Sequence, residues 1–201
     1  MGRFGSVTTA VGVAGLRDLT PADLPAVVDY WTKSPDEFLV FMGMDRARLG
    51  SVADIHKRLF VAIRTSEPTQ RSIALAITVD ERLIGYTLLN RYGEEENYSH
   101  WHIIVPGLRS KGISTALYAV RVKAYFDMAA ISRLIHQTRT RNVAVNRMLD
   151  KFVPIAETKH VDNPDGVALP GEFHIRYVRR EDISTIFERT AELGINRAVW
   201  S

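Results

Sequence analysis

The sequence predicts one mixed α/β domain, and three observations carry that expectation. Segments rich in β-branched and aromatic residues alternate with amphipathic helical segments along the chain. Two adjacent β segments, 72–79 and 82–90, are separated only by Asp80-Glu81, the spacing of an antiparallel hairpin. No internal repeat, low-complexity tract or linker-like stretch divides the 201 residues.

Composition narrows the class. Hydrophobic residues make up 46% and charged residues 24% of the chain, and the mean hydropathy is -0.08. These are the proportions of an ordinary globular protein, and they exclude disordered, collagen-like and coiled-coil chains. The absence of cysteine removes disulfide frameworks, thiolate nucleophiles and cysteine-ligated metals; it fits a reducing compartment, and a cytoplasmic location is expected. The net charge of +3 permits an anionic ligand without demanding one. Basic residues are scattered, and only the stretch from Arg133 to Arg147 is dense, so a nucleic-acid partner is not expected. No apolar run approaches the roughly 18 residues of a membrane span.

The first 15 residues hold a weak apolar centre broken by Gly12 and diluted by threonines, which reads as a flexible leader and not a signal peptide. The domain is then expected to occupy 16–201. Met1-Gly2-Arg3-Phe4-Gly5-Ser6 fits a loose myristoylation pattern and Asn97-Tyr98-Ser99 a glycosylation sequon; without supporting signals both read as coincidence. Leu16 to Leu19 is a short strand. Thr20-Pro21-Ala22-Asp23 supplies an N-cap, a first-turn proline and an early acid for a helix to about Thr32. Ser34-Pro35-Asp36-Glu37 opens a second helical stretch and Ser51-Val52-Ala53-Asp54 a third. The hairpin follows, then a loop at Gly93 to Asn97 and a strand His100 to Val105 stopped by Pro106-Gly107. From Ser114 to Met128 the apolar spacing gives a long buried helix. Further strands fall at 131–138, 153–161 and 173–178, with helices at 142–151 and 182–192.

The strand-turn-helix Ile103-Ile104-Val105-Pro106-Gly107-Leu108-Arg109-Ser110-Lys111-Gly112-Ile113-Ser114-Thr115 carries the chemistry. A glycine at a helix mouth lets the backbone approach a ligand closely, and unpaired N–H groups there attract phosphate. It is neither a Walker loop nor a dinucleotide-binding glycine motif.

Arg109 and Gly112, with Ser114 in the last place, resemble the Q/R-x-x-G-x-G/A signature of the GNAT acyl-CoA N-acyltransferases. The surroundings strengthen the likeness: Leu16-Arg17-Asp18-Leu19-Thr20-Pro21-Ala22-Asp23-Leu24 resembles the family's first strand, and Leu83-Ile84-Gly85-Tyr86 its hairpin. The Val-Pro stop precedes the loop, and Asn142 stands at a helix start about 30 residues beyond Gly112. The resemblance implies a mixed, largely antiparallel sheet of six to seven strands with helices on both faces, splayed apart where acyl-CoA lies. It implies acetyl-CoA as co-substrate, no metal, and transfer to the primary amine of a small molecule or peptide. Diphosphate contacts carry over to the amides of Arg109, Ser110, Lys111, Gly112, Ile113 and Ser114, with Thr115 beside them, and pantetheine contacts to Ile104, Val105 and Asn142. A homodimer stays open.

Direct transfer needs a base, an oxyanion donor and an acid. By resemblance the donor is an amide near Ile104. The usual carboxylate base is missing from the strand, and His100 and His102, two residues apart on one face, are the candidates; neutral imidazole suits proton removal near neutrality. Their bland reading is a hydrogen-bonded pair at a sheet edge, and a metal reading with His174 has no carboxylate at supporting spacing. The family's acidic Tyr is replaced by Leu149, leaving Tyr118, Tyr177 or water. Glu94-Glu95-Glu96 could draw a cationic amine, and Trp31, Phe38, Phe41, Met42 and Met44 could line an acceptor pocket or simply form core. Two competing readings remain: an acyl-CoA sensor without turnover, and a nucleic-acid module using Arg133, Arg139, Arg141 and Arg147.

Overall fold

The computed structural model describes residues 2–65, 70, 72–91, 93, 95–162, 164 and 166–195. Eight strands form one sheet: β1 (Arg3–Thr9), β2 (Gly12–Asp18), β3 (Ser72–Val79), β4 (Arg82–Arg91), β5 (Glu96–Ile103), β6 (Arg133–Arg139), β7 (Glu157–Val161) and β8 (Gly171–Arg179), in the spatial order β1-β2-β3-β4-β5-β6-β8-β7. Every neighbouring pair is antiparallel except β5 and β6.

The mixed α/β expectation holds, with eight strands in place of six or seven. The extra one corrects the flexible leader: residues 3–9 pair with β2 from Arg3↔Arg17 to Thr9↔Gly12. Phe4, Val7, Thr8 and Thr9 favour a strand while Gly5 and Ser6 interrupt them, and the neighbouring strand supplies the hydrogen bonds that order the segment. The third helical start and the last two helices also stand as expected, as α4 (Val52–Val61), α7 (Val143–Leu149) and α8 (Ile183–Glu192). Between the second and third expected helices lies an unforeseen short one, α3 (Arg46–Leu49).

Strand β3 shows how the two faces are used. Ile73, Leu75 and Ile77 pack toward α6 (Tyr118–Met128) and α5 (Ile113–Ala116), while Ala74 and Ala76 pack toward α1 (Leu24–Lys33) and α4, so helices cover both faces. At the start of α1 the Asp23 carboxylate accepts from the Thr20 amide (2.8 Å) and takes both Arg17 terminal nitrogens (2.7 and 2.8 Å). The helix expected from Ser114 is divided at Leu117. The two-residue turn places Asp80 at φ 46° and Glu81 at φ 65°, the positive pair of a twisted hairpin turn.

Beneath the sheet end of β6, Asn146 of α7 is a saturated hub. Its Nδ2 donates to the carbonyls of Arg139 (2.8 Å) and Thr140 (3.2 Å), and its Oδ1 accepts from Thr138 Oγ1 (2.5 Å) and Arg176 Nη1 (3.0 Å). Arg176 is fully buried and its Nη2 meets Asp150 at 2.5 Å. Truncating Asn146 to Ala strands one face of a buried guanidinium and two carbonyls, so we expect a loss of about 3 kcal/mol. Urea unfolding with an unchanged m-value checks it.

Candidate functional site

The opening in the sheet follows from its one parallel pair. β5 and β6 pair only at Glu96↔Arg133, Asn97↔Leu134 and Tyr98↔Ile135, and beyond Tyr98 they part. On its other edge β5 stays bonded to β4 through Gly85↔Ile103. The amides of Ile104 (2.9 Å) and Val105 (3.3 Å) then both reach the carbonyl of Ile84, the two-against-one count of a β-bulge. β4 and β5 come so close here that a Cβ on Gly85 would stand 2.3 Å from the His102 carbonyl oxygen.

This geometry corrects one expectation. The Ile104 amide is already engaged by β4 and is not an available oxyanion donor. Because the Ile104 bond fixes the alternation of the ladder, the amides of Trp101 and Ile103 fall on the opposite edge, toward the opening. The bulge, which no residue pattern announced, turns the Ile103 amide and not the Ile104 amide toward the opening.

The strand ends in a 3-10 turn at Pro106–Leu108 and a loop into α5. Ser110 (φ 59°) and Gly112 (φ 77°) both take left-handed conformations, and nothing lies within 4 Å of a Cβ built on Gly112. Among the described residues, the amides of 110–115 donate to no backbone carbonyl, whereas the Arg109 amide donates to Pro106 (3.1 Å). Successive free amides in such a loop form a concave anion seat. Ser110, Lys111 and Gly112 are exposed, Ser114 and Thr115 half-buried, and the Ile113 side chain is core, leaving only its amide for a ligand.

The Arg109 side chain does something other than add charge to that seat. Its Nε donates to the Ile103 carbonyl (3.0 Å), and its guanidinium lies over Phe38 at 4.3 Å and Tyr30 at 5.9 Å, toward α1 and α2 (Asp36–Met42). Asn142 caps α7 through Oδ1, accepting from the Val145 amide at 3.4 Å. Its Nδ2 is the group left to meet a ligand.

His100 and His102 share the α1 face of β5 opposite Leu88 and Tyr86, but their surroundings differ. His102 is caged: Tyr86 stacks on it at 5.1 Å, Trp31 meets it edge-on at 4.9 Å, and the Tyr30 hydroxyl is 3.3 Å from Nδ1. Burial, the neighbouring His100 and the Arg109 charge push its pKa down to about 3. His100 lies two residues beyond the last β5–β6 pair and keeps an exposed face. The surrounding protein and the Arg121 charge push it down to about 4. Water at the exposed face offsets part of that penalty, so His100 stands closer than His102 to the ordinary value. His136, 2% exposed and with Nε2 3.0 Å from the Tyr118 hydroxyl, is pushed well below the ordinary value by burial and by Arg121 and Arg176.

A consequence for stability follows from the depressed values. Between the unfolded pKa near 6.5 and the folded values, the unfolded chain binds protons that the folded chain refuses. Stability is therefore full above about pH 6.5 and falls as pH drops toward 3. Calorimetry across pH 7 to 4.5 should show a steadily falling Tm, lessened in His102→Phe.

Neither substitute acid reaches the opening. Tyr118 is fully buried against Phe152 and His136, Tyr177 lies 3.5 Å from Glu157 beneath Arg133, and Leu149 is core. Tyr30 and Tyr86 were not foreseen, because only the packing of α1 against β4 and β5 brings them to His102. Trp31 is core, donating to the Tyr86 hydroxyl at 2.7 Å; Phe41 is exposed; Phe38, Met42 and Met44 line the edge of that cluster. His174 is on β8, bonded to Thr158 at 2.8 Å. Among the described residues no three His, Asp or Glu side chains gather as a metal site. Arg133 pairs with Glu96, Arg139 with the carbonyls of Leu169 and Pro170, and Arg141 with that of Val40, which ties up most of the basic stretch in local structure. Asn97 of the sequon is buried in β5. Glu94, and Asn163 and Asp165 of the polar, Pro- and Gly-containing loop that the sequence places between the strands at 153–161 and 173–178, lie outside the described residues.

The family model of the acetyltransferase (GNAT) domain matches residues 14–152, most of the chain. The chain belongs to the GNAT acetyltransferases. Among solved structures this GNAT chain is similar to RimJ from Mycobacterium smegmatis in complex with CoA-disulfide, at 18% identity and a TM-score of 0.72 over 100% of both chains. It is also similar to the aminoglycoside acetyltransferase AAC(6')-Ib in complex with coenzyme A (14%, TM-score 0.64, 86% of this chain and 98% of that one). A third likeness is to a chimera of the spermidine N-acetyltransferase SpeG from Vibrio cholerae and hSSAT (13%, TM-score 0.64, 87% and 98%). At these identities the likeness concerns the fold. No curated protein sequence matches the chain. Among the described residues no helix is long and apolar enough to cross a membrane.

Proposed function

We propose that the chain moves an acetyl group from acetyl-CoA to a primary amine of a small molecule or peptide, by direct attack in a ternary complex in the cytoplasm. The observation that carries the reading is the parting of β5 and β6 after Tyr98, with free amides at 110–115 at one end and His100 on the β5 face. The CoA-bound neighbours, one of them an aminoglycoside acetyltransferase and another a spermidine N-acetyltransferase chimera, support acyl-CoA and an amine as the two substrates.

In this reading acyl-CoA supplies the thioester. The amides of Ser110 through Thr115 hold the diphosphate, and the Asn142 Nδ2 and the open edge of β5 hold the pantetheine arm. The Ile103 amide donates to the carbonyl oxygen as charge develops there. His100 takes the proton of the incoming ammonium. With no tyrosine at the position of Leu149, water relays the second proton of the attacking nitrogen to the leaving thiolate, and the tetrahedral adduct collapses to amide and free CoA.

The same position favours a second reading, an acyl-CoA-binding module without turnover. Calorimetric titration with acetyl-CoA followed by a thiol-release screen over amines and peptides separates them. Micromolar binding with thiol release establishes the transferase, binding without release across the screen favours the module, and absence of binding overturns both.

A further inference from the structure

The Arg109 guanidinium stands at the opening on the α1 and α2 side, and only one of its nitrogens is engaged. Its Nε donates to the Ile103 carbonyl at 3.0 Å, while Nη1 and Nη2 have no hydrogen-bond partner among the described residues. Neither of these two is a sealed, buried atom, in contrast to the guanidinium nitrogens of Arg121, so both remain open to solvent. The group is held in place by Phe38, whose ring centre is 4.3 Å from the guanidinium carbon, and by Tyr30 at 5.9 Å. Among the described residues no carboxylate pairs with it: Asp36 at the start of α2 is taken by Arg46, and Glu96 of β5 by Arg133. Nη1 and Nη2 form the end of the guanidinium fork, two parallel donors that match the two oxygens of a carboxylate.

Two more arginines extend the positive charge along α2. Arg141 Nη2 donates to the Val40 carbonyl at 2.5 Å, and Arg139 packs against Gly43 and donates to the carbonyls of Leu169 and Pro170. Carbonyl partners position these side chains without neutralising them. Burial and the Arg141 charge both push the Arg139 pKa down, and no carboxylate offsets them.

The anionic groups of CoA are its phosphates, which the amides of 110–115 take in the reading above, and its pantetheine arm is neutral. The Ile103 amide and carbonyl face the same edge of β5. A fork anchored on that carbonyl therefore stands beside the amide that receives the thioester oxygen. An anion paired with Arg109 belongs to the molecule that attacks the thioester and not to the one that carries it.

We propose that the acceptor is an amine bearing a carboxylate a few bonds from its nitrogen, as in a free amino acid or a peptide N-terminus beginning with Asp or Glu, and that Nη1 and Nη2 of Arg109 hold that carboxylate. This deepens the transferase reading and rests on it. The carboxylate takes no part in the bond changes: the C–N bond forms, the C–S bond breaks, and the nitrogen's protons go to His100 and the thiolate. Its pairing fixes where the nitrogen stands. The same guanidinium repels polycationic amines.

The test measures thiol release by the full chain with acetyl-CoA over matched acceptors. Glycine and β-alanine are set against glycinamide and β-alaninamide, and Asp-Ala-Ala against Asn-Ala-Ala, both amidated at the C-terminus, with spermidine as a polycation. The carboxylate member of at least one pair should show a kcat/KM about 30-fold higher, and the pair that does so tells a free amino acid from an acidic peptide. In Arg109→Gln that preference should vanish while the acetyl-CoA dissociation constant stays within about threefold of wild type, and Arg109→Lys should keep part of it. The ratio compares two acceptors on one protein, so a loss of folded protein does not mimic its collapse. Equal rates within every pair, the highest rate for spermidine, or a preference that persists in Arg109→Gln would overturn the proposal and leave the transferase standing. A large loss of acetyl-CoA affinity in Arg109→Gln would assign the guanidinium to CoA and overturn it as well. Absence of thiol release from every acceptor overturns the transferase reading, and this inference with it.

Discussion

Replacing Gly112 with valine is expected to weaken acetyl-CoA binding about 100-fold, close to 2.7 kcal/mol. Gly112 sits at φ 77°, where an L side chain costs roughly 1–2 kcal/mol and a β-branched one more. Valine relieves that strain by rotating the backbone, which swings the amides of 110–113 out of a common focus. Two charge-assisted phosphate bonds, each worth about 1.5–3 kcal/mol, are then lost or weakened. The Cβ itself projects into the space that is clear within 4 Å. Calorimetric titration of wild type and Gly112→Val gives the ratio directly, with circular dichroism as the control for folding. An unchanged dissociation constant in a folded variant would move the diphosphate away from this loop.

His100→Ala should lower kcat/KM by about 100-fold or more, the usual contribution of a positioned general base. His102→Ala should act chiefly on stability, because it opens a cavity among Tyr30, Trp31 and Tyr86. The pH profile separates a base from a structural residue. The folded pKa of His100 is depressed, so the neutral imidazole persists below pH 6.5, and the acid limb of wild-type kcat/KM should lie between 6.5 and about 4. That limb should vanish in His100→Ala while Tm changes little. Full activity of His100→Ala at every pH would eliminate the histidine mechanism and leave a water chain as the proton acceptor.

The two residues differ in how far the sequence exposed their roles. His100 and His102 were equivalent as a pair on one strand face, since alternation says only which side they share. Their separation came from what α1 brings across the sheet: an aromatic cage around one, and an open cleft beside the other. Arg109 was legible as a member of the candidate phosphate loop, yet its side chain turns back to the Ile103 carbonyl and onto Phe38, which α2 brings across from a distant segment. Asn146 and Arg176 gave no pattern at all, as their hydrogen bonds join α7, β6 and β8.

Local chemistry by itself determined the hairpin at Asp80-Glu81, the stop at Pro106-Gly107, the left-handed glycine before α5 and the Asn142 cap. Each of these depends on residues within a few positions of one another, where φ preferences and caps act directly. Only the tertiary structure decided that residues 3–9 become a strand, that the Ile104 amide belongs to β4 and the Ile103 amide to the opening, and that Arg121 is buried against Trp101 with no hydrogen-bond partner for its guanidinium among the described residues. Those outcomes rest on pairing and burial between segments far apart in the chain. Their energies arise when the whole sheet assembles, so no short stretch of sequence contains them.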